Sequence, residues 1–130
     1  MLWYEAWNRG VAPLLSTEGL EALRDALRFD EDTLIQGATT QPPPLACVQD
    51  WPVEACCAIS YCGWKGNDLA TVGEVEEFFA RLCFEADNLL GEPGGIRYFL
   101  NWYDDTPRKE MRIALLKAIE ITLYNRTHAR

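Results

Sequence analysis

The groups with the widest chemical repertoire are few in this chain: five cysteines, one histidine and two serines. Cys56 and Cys57 are adjacent, Cys62 follows, and Cys47 and Cys83 stand apart. A structural zinc site needs two closely spaced ligand pairs of the C-x-x-C kind, and none is present. Adjacent cysteines on a helix would point about 100° apart, which works against joint chelation. No C-x-x-C redox couple occurs either. Cys56, Cys57 and Cys62 form the candidate thiol site. The simpler expectation is that Cys56, Cys57 and Cys83 fill the core as small apolar residues. No metal site is predicted, and no cofactor can be named.

His128 lies close to the last residue, where a helix frays, so a base held in register by a carboxylate is not expected there. Of the serines, Ser16 is placed to cap a helix and Ser60 has no histidine near it in sequence. Asp104 and Asp105 could act as an acid–base pair, but they precede Thr106-Pro107 and suit the positive end of a final helix. Asp30-Glu31-Asp32 lacks the glycine and terminal glutamate of a calcium loop and reads as a solvated turn. Gly91-Glu92-Pro93-Gly94-Gly95 lacks the lysine and hydroxyl of a phosphate loop and reads as a helix stop. This inventory points away from an enzyme.

Charge narrows the partners. Residues 1–105 carry 6 basic and 18 acidic side chains, whereas residues 106–130 carry 6 basic and 2 acidic, for a net charge of −8. An acidic body repels phosphate backbones, which argues against nucleic acid. Lys117 and Arg126 suit the negative end of a last helix. No apolar run approaches the roughly 20 residues of a membrane span, and the N-terminus has no leader pattern. Unpaired cysteines without an export signal lead to the expectation of a cytoplasmic protein, in which the sequon Asn125-Arg126-Thr127 has no role.

The elements that would position these groups are mostly helical. Thr71 and Glu74 form a capping box, Val75, Phe78, Phe79, Leu82, Ala86, Leu89 and Leu90 recur at helical spacing, and Gly91 ends the run. Met111, Leu115, Ile119 and Leu123 make the inward row of a last helix after Pro107. Leu20, Leu23 and Leu27 do the same for Thr17 to Phe29, and Trp3, Trp7 and Val11 suit a short first helix closed by Gly10 and Pro13.

Two segments fit either period. Pro52 to Gly63 reads as a helix capped by Asp50 or Trp51, or as a strand; Ile96 to Tyr103 is equally ambivalent. Pro52 near a helix start and the Asp104–Pro107 junction favour helix in both. The expectation is a mainly α, single-domain (1–130) bundle of five to six helices with one long Pro-rich loop; the alternative is α+β, with short strands near 54–62 and 96–103.

Pro42, Pro43, Pro44 and Leu45 form a stiff polyproline tract in a long connection. Aromatics are abundant, and Trp51, Trp64, Tyr98 and Trp102 exceed what a small core needs. Together they define the candidate partner- or ligand-binding surface. The leading expectation is a non-enzymatic interaction or assembly module with another protein as partner, a homo-oligomer also being compatible. A small-ligand or cofactor-binding helical domain, and a thiol-based redox or metal-binding regulator, are the alternatives.

Overall fold

Local capping chemistry sets both ends of two of the longer helices in the computed structural model, which describes residues 1–40 and 50–128. The Pro42–Leu45 tract and Cys47 lie outside the described residues. Helix α1 (Trp3–Ala6) leads through a wide turn (Trp7–Val11) and a tight one (Ala12–Leu14) to α2 (Thr17–Phe29). Four more helices follow: α3 (Ala58–Gly66), α4 (Val72–Leu90), α5 (Arg97–Asp105) and α6 (Arg108–His128). Ser16 caps α2 by accepting the Gly19 N–H at 3.0 Å, and Asp30 closes it in the left-handed region at φ 52°. In α4 the Thr71 hydroxyl accepts the Glu74 N–H while the Glu74 carboxylate accepts the Thr71 N–H. Gly91, at φ 69°, ends α4. Each of the two N-caps, Ser16 and Thr71, contributes about 1 kcal/mol.

With six α-helices and no strand among the described residues, the chain is mainly α and the α+β alternative falls away. Of residues 96–103, Ile96 precedes α5 as its cap and the rest lie within the helix. The expectation for Pro52 onward needs correction: α3 starts only at Ala58, with Cys57 rather than Asp50 or Trp51 at the cap position. The residues before it run extended, because their backbone groups find partners far away in sequence. Val53 N–H bonds to Ala70 O, Cys56 N–H to Thr33 O, and Cys57 N–H to Thr39 O. These contacts are single bridges, too few to make a sheet.

Two smaller corrections have packing causes. Gly10 and Pro13 do not stop the first helical segment at once. A Cβ on Gly10 would lie 2.8 Å from Leu90 Cγ, so the close approach of α4 explains that glycine. Pro13 sits early in the tight turn, where a missing N–H costs nothing. Leu89 is exposed, since Leu82, Ala86 and Leu90 already make the row that reaches the core.

The core centres on Trp7, Phe99 and Tyr103, all fully buried, with Leu20, Leu23 and Leu27 from α2 and Met111, Leu115 and Ile119 from α6. Helices α2 and α3 meet backbone to backbone: a Cβ on Gly66 would fall 2.5 Å from Gly19 Cα. That crossing explains a glycine in the first turn of α2.

The basic excess of the C-terminal segment is largely engaged by the fold itself. Arg108 donates to Asp30 (2.7 Å), Leu34 O (2.8 Å) and Glu31 O (2.9 Å), and Arg112 donates to Leu27 O (2.9 Å). Arg112 thus satisfies a carbonyl at the negative end of α2, and Arg108 satisfies carbonyls of the segment that follows it. The Arg108 guanidinium holds the Asp30 carboxyl below its ordinary pKa. Arg126 does not merely complement its own helix: it reaches Ala12 O at 2.8 Å and the Thr17 hydroxyl at 3.1 Å, tying α6 to the N-terminal turns.

Candidate functional site

The candidate thiols are inside the protein. Cys56, Cys57 and Cys62 are all buried, and burial pushes each thiol above its usual pKa. Cys57 occupies the cap of α3, a position that ordinarily favours a thiolate. Desolvation exceeds that effect, and the protonated thiol sits 3.4 Å from the Ser60 hydroxyl. Cys83 is half-buried and raised to about 11, again through burial. Thiols in this state are poor nucleophiles and poor metal ligands. Among the described residues, no three His, Cys, Asp or Glu side chains gather into a group able to hold a metal ion.

Cys57 also borders a cleft of about 150 Å³ together with Thr39, Phe79, Leu100, Tyr103 and Asp104. That volume is below the several hundred Å³ usual for a small-molecule site. Two of its polar groups are already in use. Tyr103 donates its hydroxyl to Ile35 O at 2.7 Å, and Asp104 accepts the Gly37 N–H at 2.8 Å. The turn after α4 is similarly occupied, because the Asp87 carboxylate accepts the N–H groups of Gly94 and Ile96, each at 2.9 Å. A phosphate would have to displace that carboxylate.

The candidate aromatics divide. Trp102 lies flat on Trp3, with ring centroids 3.7 Å apart and planes 6° apart, so one face is committed inside the molecule. Trp64 packs edge-on against Tyr61, and the Lys65 ammonium lies 3.9 Å above its ring. Trp51 and Tyr98 are the exposed members, at 38% and 41%. Tyr98 and Trp102 share α5, whereas Trp64 lies on α3 and Trp51 in the extended segment before it. The four are spread over three segments.

The largest exposed apolar display on one long helix lies on α6, outside the candidate residues named from the sequence. Ile113, Ile121 and Tyr124 are 64%, 52% and 62% exposed. Lys117 and Glu120 are exposed between them and Leu116 is half-buried beside them. The Met111, Leu115, Ile119 row is fully buried on the other side. Tyr124 stacks on His128 with ring centroids 3.9 Å apart, extending the display to the end of the helix. A groove of about 390 Å³ adjoins Ile121, lined also by Asn8, Pro13, Asn125 and Arg126. A legible signal did exist: a 21-residue helix with apolar residues at 113, 116, 121 and 124 as well as in its core row is apolar on more than one side.

Fold and surface thus describe a mainly α-helical protein with an apolar helix face that no described residue covers. No helix among the described residues is long and apolar enough to cross a membrane. Comparison with protein-family models, curated proteins and solved structures finds no match to this chain.

Proposed function

We propose that this protein is a non-enzymatic interaction or assembly module that engages a protein partner through the outer face of α6. The observation that carries the reading is the more than half exposed state of Ile113, Ile121 and Tyr124 on one helix. Three large apolar side chains held on a helix whose other side is anchored in the core are preorganised for docking. Association then removes apolar area from water at little entropic cost. Tyr124 supplies the amphipathic ring that recurs at interface centres. Trp51 and Tyr98 stay exposed elsewhere and offer secondary contacts.

The test is affinity isolation of the chain from its native lysate, comparing wild type with an Ile113→Glu, Tyr124→Glu variant. A stoichiometric protein partner, either another chain or a second copy, is expected with wild type. It should be lost in the variant while helicity and melting temperature are unchanged. A wild-type protein that is monomeric and retains nothing would overturn the proposal.

A further inference from the structure

We infer that the partner of the α6 face is a second copy of this chain, docked with its α6 antiparallel. This rests on the interaction reading above and adds the partner's identity. Around the helix at about 100° per residue, Ile113, Lys117, Glu120 and Tyr124 fall within an arc of about 60°. They therefore form one seam with the four, three and four residue spacing of paired helices, apolar at its ends and charged at its middle. All four are exposed.

The seam reads the same chemically in both directions. A two-fold axis level with the midpoint of Lys117 and Glu120 sets Ile113 beside Tyr124 of the second copy. The same operation sets Lys117 beside Glu120 of the second copy. Both contacts then occur twice, apolar with aromatic at the ends and cation with anion in the middle, which is what a symmetric interface requires. A parallel arrangement would instead stack Lys117 on Lys117 and Glu120 on Glu120.

Charge elsewhere agrees with this choice of face. The chain carries −8, so two copies repel, but residues 106–130 hold 6 basic and 2 acidic groups and are the least acidic place to meet. Glu120 already lies 3.4 Å from Arg28 of its own chain, both side chains about half exposed. Such an exposed pair contributes little, and a carboxylate accepts more than one donor. A seam of one helix per copy lies at the low end of specific interfaces, so a weak, concentration-dependent dimer is expected.

Sedimentation equilibrium of the full chain, from about 1 to about 300 µM, tests this. Wild type should pass from monomer to dimer mass. Lys117→Glu or Glu120→Lys alone should raise the dissociation constant about tenfold, because two attractions become two repulsions. The double variant should regain the dimer, and a mixture of the two single variants should form it better than either alone. Circular dichroism should show the same helicity throughout. A wild-type monomer across the range, or swaps without rescue, overturns the second copy as partner. If the lysate isolation still yields a different protein lost on Ile113→Glu, Tyr124→Glu, the interaction reading stands and only this inference falls.

Discussion

On its inner side α6 buries Met111, Leu115 and Ile119 completely, while Arg108, Arg112 and Arg126 bond to backbone carbonyls of the facing segments. On its outer side Ile113, Ile121 and Tyr124 remain exposed around Lys117 and Glu120. Composition barely separates the two: each side has large apolar residues and charges. The difference is that the inner charges have found backbone carbonyl partners, at the end of α2, just beyond it and in the N-terminal turns, and the inner apolar row matches Leu20, Leu23 and Leu27 across the helix pair. Apolar character alone therefore does not identify the core-facing side of a helix. The side that also satisfies the neighbouring backbone is the side that docks.

The largest effect is expected on the inner side. Leu115→Ala removes a fully buried side chain and should cost about 3 kcal/mol in urea unfolding, through lost burial and the cavity left behind. A loss below about 1 kcal/mol would mean that the α2–α6 seam is not part of the cooperative core.

A subtler lever is Asp30, whose carboxyl is held low chiefly by its hydrogen bond from Arg108. A lowered folded pKa means that its contribution is fully present above the unfolded carboxylate pKa of about 3.9 and is lost as pH falls through the folded value. Asp30→Asn keeps a residue that tolerates the left-handed conformation and removes the charge. Its midpoint should lie below wild type at neutral pH, and the gap should close on acidification. A gap independent of pH would show that the ion pair is not the cause.

The smallest effect is expected outside. Ile113→Ala should change the unfolding free energy by less than about 0.5 kcal/mol at concentrations where the chain is monomeric. Leu115→Ala, two residues away, should cost several-fold more in the same measurement. A large monomer destabilisation at Ile113 would place that side chain in the core.

Much of the helical framework was legible because its signals are local. The Thr71–Glu74 box, Ser16, Gly91 and the Leu20–Leu23–Leu27 row act within three or four residues of themselves, so short-range chemistry suffices to locate α2 and α4. The segment from Pro52 to Cys57 was not legible in the same way. Its extended course depends on Thr33, Thr39 and Ala70, whose hydrogen bonds compete with helix formation only once the chain has folded. The site divides along the same line. Composition identified surplus aromatics, but only packing shows Trp102 committed to Trp3 and Cys56, Cys57 and Cys62 buried together in the core.

What the sequence alone determined is the helical class, the ends of its best-capped helices, the acidic body with a basic final helix, and a scarcity of groups for familiar catalysis. The tertiary structure decided which apolar row of α6 faces inward and which faces out. Helical periodicity places Ile113 and Leu115 on different sides of α6, but their burial depends on which side finds a complementary neighbour. Only the folded α2, with its leucine row and its unsatisfied terminal carbonyls, supplies one.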